Sequence, residues 1–297
     1  MKKISSLIFV LLLMFASFTA GREYPRGDVD LNGEVNIGDL TTLIDYLLTG
    51  YWPGEQPLPT TGETFTVNGV SFTMMEVEGG TFTMGATAEQ STFNNVDATP
   101  VHEVTLSSYM IGQTEVTQAL WKAVMGADPN PLGFPGDPLR PVEMVSWNNC
   151  QTFLTKLNKL TGKNFRLPTE AEWEFAARGG NYSQGYKYSG SNNIYDVGWY
   201  YKNAAESTHT VALKLPNELG LYDMSGNVSE WCQDWWGSYS SEAQTDPTGP
   251  ETGTSHVYRG GDFHIFSANS YGDCRVSCRW GLEPQCAASY IGLRLAL

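Results

Sequence analysis

Leu167-Pro-Thr-Glu-Ala-Glu-Trp-Glu-Phe175 decides the fold. Thr169 and Glu172 have the spacing of a capping box, so a helix is expected to open there and run through Ala177. Trp173 and Phe175 would then help to fill a core. Two later phrases complete the reading. Gly220-Leu-Tyr-Asp-Met-Ser-Gly-Asn-Val-Ser-Glu-Trp231 joins two carboxylates to a turn relaxed by glycine, an arrangement that can wrap an oxygen-seeking cation. Arg259-Gly-Gly261 is followed, at the end of the chain, by Ile291-Gly-Leu-Arg-Leu295.

In this order, over roughly residues 72–297, the three phrases resemble the formylglycine-generating enzyme (sulfatase-modifying factor) family. The resemblance implies an α+β, loop-rich, C-type-lectin-like fold with little regular secondary structure. It also implies a calcium turn. Asp223 and Glu230 would supply side-chain oxygens, and Gly226 and Val228 would supply carbonyls. Ser229 stands where the family usually has Trp, which changes packing rather than ligation.

The family's chemistry needs a C-x-x-x-x-C cysteine pair a few residues after Arg-Gly-Gly. That pair binds copper and the substrate cysteine thiol in an oxygen-dependent oxidation. Its positions fall near Ile265 and near Ser270 or Tyr271. The stretch Asp262-Phe-His-Ile-Phe-Ser-Ala-Asn-Ser-Tyr-Gly-Asp273 contains no cysteine. Soft thiolates suit Cu(I), and no hydroxyl or alkyl group replaces them. Cys274 and Cys278 follow at C-x-x-x-C spacing, but using them would break the registration of Arg275, Arg279 and Pro284 with the family's tail. No catalytic residue is therefore assigned. Copper belongs only to the alternative, an oxidase converting a sulfatase cysteine to formylglycine.

The same stretch reads as a binding surface. Asp262, Phe263, His264, Phe266, Asn269, Tyr271 and Asp273, with Trp280 and Tyr290, mix rigid aromatic area with small hydrogen-bonding groups, a composition suited to recognition. Some relatives of this fold carry a C-terminal surface diversified by retroelements, and the order Arg-Gly-Gly, Ala, Cys-Arg-Val-Ser, Arg, Pro here is similar to theirs. The expected partner is a protein or glycan ligand.

Near the start, Asp28-Val-Asp-Leu-Asn-Gly-Glu-Val-Asn-Ile-Gly-Asp39 places oxygen side chains at loop positions 1, 3, 5, 9 and 12, with Gly33 at the sharp turn. Asp28, Asp30, Asn32 and Asp39 would ligate calcium through side chains and Glu34 through its carbonyl. Asn36 would act directly or through water. An apolar-periodic helix follows and ends at Gly50. This unit resembles a single dockerin repeat and implies a cohesin-like partner; a full dockerin has two repeats, and this chain has one.

The expected domains are a signal peptide over 1–21, the calcium repeat over 26–50, a Pro/Gly linker over 51–64 and the main domain over 65–297. Lys2-Lys3, an apolar run over 7–16 and small residues up to Gly21 make the signal peptide, too short for a transmembrane span. The product should be secreted, periplasmic or at the cell surface, with no cysteine near the cleavage region to take a lipid. Within the main domain, strands are expected over 65–67, 70–77, 80–85 and 103–106. Helices are expected over 115–126 and 145–160. Beyond Gly179 regular periodicity fades.

The formal charge of −14 argues against nucleic acid, which needs clustered Lys and Arg. The acidic excess serves solubility or cation binding. The five cysteines, all in the second half, read as structural, and an odd count leaves at least one unpaired. The four histidines are scattered and read as surface or core.

Overall fold

Asn68-Gly69 sits between two alternating runs and forms a two-residue hairpin turn. Both residues take positive φ, 48° and 84°, as such a turn requires. In the computed structural model, which describes residues 61–90, 96–129, 132–264 and 274–297, this turn joins β1 (Gly62–Val67) to β2 (Val70–Val77). The chain divides into two units, Met1–Pro57 and Leu58–Leu297, and all the described residues belong to the second. The expected signal peptide and calcium repeat lie outside the described residues, as do Ile265, Phe266, Asn269, Ser270, Tyr271 and Asp273. The first strand begins at Gly62, three residues before the expected one, because Gly62 pairs with Met75 and extends the ladder.

β5 (Tyr109–Gly112) completes an antiparallel sheet of order β1-β2-β5. A second sheet joins β3 (Gly80–Met84), β4 (His102–Leu106) and the short β7 (Gln244–Thr245). The third has the order β10-β6-β8-β9, built from β6 (Ser229–Trp235), β8 (His256–Arg259), β9 (Arg279–Leu282) and β10 (Ile291–Leu293). Only its β10–β6 pairing is parallel.

The helices start and stop where capping chemistry permits. α1 (Gln118–Met125) opens on Thr117, whose hydroxyl accepts the Leu120 amide, and closes on left-handed Gly126. α2 (Trp147–Thr161) opens with a Ser146–Asn149 capping box and closes on left-handed Gly162. α3 (Glu170–Ala177) opens with the expected Thr169–Glu172 box, with amide-to-side-chain distances of 3.2 and 2.8 Å. Beyond it, α4 (Ile194–Val197) is a single turn, and loops dominate up to β6.

Every residue of α3 is buried, including Glu170, Glu172 and Glu174. A buried carboxylate without a partner is costly, so each needs a cation. Glu172 meets Arg166 through two bonds of 2.6 Å. Glu170 meets Arg279 at 2.6 and 2.7 Å, and Arg259 at 3.3 Å. Glu174 pairs with Arg259 and with Arg178.

Glu230 on β6 is wholly buried and bound to Arg294 through Nε and Nη2, with the Trp173 indole N–H donating to its Oε2 at 2.6 Å. Arg294→Met strips Glu230 of its cation. It is expected to cost about 3–5 kcal/mol, seen as a lower urea midpoint at unchanged slope. Lys122→Met, which breaks an exposed pair with Asp128, should stay within about 0.5 kcal/mol.

Candidate functional site

The Arg-Gly-Gly phrase turns the chain sharply after β8. Gly260 and Gly261 take φ of 96° and 67°, and a Cβ on Gly260 would lie 3.2 Å from the Trp173 ring. Backbone bonds then dock this turn on the Ser-Gly-Asn turn: the Gly226 amide donates to the Gly260 carbonyl at 2.8 Å, and the Phe263 amide to the Asn227 carbonyl at 3.1 Å. The two phrases form one unit of structure.

Of the expected binding residues, Asp262, Phe263, His264 and Trp280 can be placed. Asp262 is half-buried; its Oδ1 accepts the His264 amide at 2.7 Å and its Oδ2 accepts the Ser229 hydroxyl at 3.3 Å. It shapes the turn. Phe263 is 1% exposed and meets Phe134 edge-on, ring centroids 5.1 Å apart, so it is a core anchor and not a contact surface. That corrects the expectation. Its reason is the loop around Phe134, which nothing in the local pattern of the tail reveals.

Glu143 holds that loop, with its buried carboxylate accepting the Gly133 and Phe134 amides at 2.9 Å. Burial pushes this carboxyl up, against the pull of those two amides. His264 is exposed and stacks on Tyr290, centroids 6.3 Å apart. Trp280 is 41% exposed on β9, opposite Tyr258. The exposed part of the surface among the described residues is therefore His264, Trp280 and the half-buried Tyr290.

The expected calcium turn is a charged, buried cluster. Glu115, Asp223 and Glu230 are all buried, and Arg294 is the cation among them. Glu115 accepts the Val228 amide at 3.0 Å and the Asn227 side-chain amide at 2.8 Å. Burial, then the Asp223 and Glu230 charges, push its carboxyl well above the ordinary range. Asp223 takes positive φ of 58°; its Oδ2 accepts the Ala212 amide at 2.7 Å, while Oδ1 is buried with no hydrogen-bond partner. Burial pushes Asp223 up to about 6. Asp223, with an open oxygen among surplus negative charge, fits an oxygen-seeking cation. Glu230 is bonded through both oxygens to Arg294 and Trp173, so its carboxylate is a frame element here. Among the described residues no group of three or more His, Cys, Asp or Glu side chains is arranged to hold a metal.

None of the five cysteines, all among the described residues, forms a disulfide. Cys274 packs with Tyr188, Ile194, Val197 and Tyr200, and the Cys278 sulfur lies 3.6 Å from the Arg275 guanidinium. His256, read only as core or surface, lies between the Trp147 and Trp235 indoles at 3.8 and 3.7 Å.

Residues 62–297 match the sulfatase-modifying factor enzyme 1-like domain. The formylglycine-generating enzyme of Thermomonospora curvata is 37% identical over 203 residues, which cover 59% of this chain and 63% of that enzyme. The chain thus spans less than two thirds of that relative. The chaperone protein LppX of Paenibacillus barcinonensis is 35% identical over 275 residues, 76% of this chain and 89% of that one. Among solved structures, Treponema denticola variable protein 1 superposes with a TM-score of 0.70 at 34% identity, covering 80% of this chain and 98% of that protein.

The core and surface assignments separate by denaturation. Phe263→Ala is expected to lose about 3–5 kcal/mol of stability in urea, as buried Phe truncations do. His264→Ala and Trp280→Ala should each change it by about 0.5 kcal/mol or less.

Proposed function

Because the chain belongs to the sulfatase-modifying factor family, we propose that its domain is a ligand- or partner-binding module rather than a cysteine oxidase. The absence of any thiol in the stretch from Asp262 to Asp273, where the family's copper-binding pair belongs, carries this reading. Cys274 and Cys278 are no substitute, since both are buried and set in different surroundings. Likeness to a protein named for its variability supports a recognition surface in the tail, with His264, Tyr290 and Trp280 at its edge and a protein or glycan as ligand. A relative named as a chaperone fits action on a partner protein.

Calcium belongs to the same proposal. It would occupy the loop from Asp28 to Asp39 and the open oxygen of Asp223. Export through the N-terminal signal peptide, and docking through the dockerin-like repeat, complete it. No helix among the described residues is long and apolar enough to cross a membrane.

The second reading, a formylglycine-generating oxidase using copper, is favoured by the identity to the Thermomonospora enzyme. One assay separates the two. Purified protein with copper and oxygen is expected to leave a Cys-x-Pro-x-Arg peptide unchanged in mass; conversion of its thiol to the aldehyde would reverse the assignment. Chelation is expected to lower the melting temperature and added calcium to restore it; an unmoved transition would remove both calcium sites.

A further inference from the structure

A cavity of about 320 Å³ opens at the N-terminal end of α3, and none of its lining residues belongs to the Asp262–His264 turn. By volume it admits about ten water molecules, so it suits a small ligand. Asp234 from the end of β6, His102 from β4, Arg279 from β9, Tyr239 and Gly249 line it.

Two of its donors, Arg279 and Tyr239, are already used. Arg279 gives Nε and Nη2 to Glu170 and Nη1 to the Asp97 and Gly237 carbonyls, at 3.0 and 2.7 Å. Its two sides face Trp236 and Tyr239 at 4.2 and 4.1 Å. The Tyr239 hydroxyl donates to Glu170 at 3.1 Å. His102 Nδ1 faces the Pro100 carbonyl at 3.3 Å.

Asp234 is the carboxylate left over. It is 4% exposed; its Oδ2 accepts the Glu170 amide at 2.9 Å, its own backbone N–H also bonds the carboxylate, and it makes no ion pair among the described residues. Gly249, with φ of 73°, keeps side-chain bulk off the other oxygen, since a Cβ there would stand 3.1 Å from Oδ1. Burial, then the neighbouring Glu170 charge, push Asp234 up to about 7. The other charged or titratable groups around it are Glu172, Arg166, Arg279, His102, Cys232 and His256.

We propose that this cavity binds a small primary ammonium ion seated on the Asp234 carboxylate. An anion would meet the Glu170 and Asp234 carboxylates, and Arg279, the guanidinium in the lining, is already paired with Glu170. A guanidinium asks for two parallel carboxylate oxygens, and Oδ2 is already taken; a compact ammonium needs only one oxygen and nearby acceptors. A metal would need further ligating carboxylates or imidazoles, and no such group of three exists among the described residues. The ligand binds the ionised carboxylate, so affinity follows its ionisation. With a midpoint near 7, binding is expected to weaken about tenfold from pH 8 to pH 6. Without ligand, the raised carboxyl adds stability that is present at low pH and lost as the pH rises through 7.

The test is calorimetric titration of the full-length protein with ethylammonium chloride at pH 8 and pH 6, beside tetramethylammonium, which lacks N–H donors. Saturable binding of ethylammonium alone, weaker at pH 6, is expected. Asp234→Asn keeps an acceptor for the Glu170 amide, so it should fold, lose ethylammonium binding at least tenfold and show a flatter melting temperature from pH 5 to 8. Ser240→Trp, at an exposed lining position, should block binding without touching the carboxylate. No saturation by ethylammonium, equal binding of tetramethylammonium, or undiminished binding in Asp234→Asn each overturns the proposal.

Discussion

The structure rests on buried glutamates whose cations arrive from far along the chain. Glu170 and Glu174 project from a helix with no exposed side, and the guanidiniums that neutralise them come from Arg259 and Arg279 on β8 and β9. Glu230 waits in the same way for Arg294 in the tail that follows β10. A buried carboxylate alone costs several kcal/mol, so neither helix nor strand can be packed until the tail is in place. Arg294 also donates to the Gly112 and Tyr222 carbonyls, tying the first sheet to the third. The phrases that mark the chain in sequence are thus two halves of one electrostatic closure.

This closure pins the chain on both sides of the interval between Gly261 and Cys274. One side of that interval is pinned by Arg259 in the core and by the Gly260 and Phe263 backbone bonds to the Ser-Gly-Asn turn. The other is pinned by Arg279 on Glu170 and by Arg275, whose guanidinium donates to the Gln90 carbonyl. The arginine anchors lie outside the stretch that lacks the family's thiols, so the fold is held without those thiols.

Much of this was legible because it is local. The Thr169 capping box appears where its spacing places it, and the Ser146 box, the left-handed glycines at 126 and 162 and the Asn-Gly hairpin likewise depend on residues within a few positions. The site was less legible because its meaning depends on distant partners. Phe263 read as surface because its neighbours are polar; Phe134, far upstream, buries it. Glu230 read as a ligand because it sits beside a glycine turn, yet its oxygens go to Arg294 and Trp173. Asp234 gave no sign at all, since nothing near it in sequence says which carboxylates will find arginines.

That division among the acids is the last consequence of the closure. The glutamates of α3 and β6 are matched by guanidiniums in two-pronged geometry, the arrangement in which buried charge is tolerated best. Asp223 and Asp234 are buried as deeply, accept backbone amides, and have no such match. Their carboxyls accordingly rise to about 6 and about 7, so near neutral pH each is close to exchanging its proton for another positive charge. The paired acids build the frame. The two unpaired aspartates differ in their surroundings: Asp223 has a buried oxygen beside a turn of backbone, and Asp234 lines a cavity.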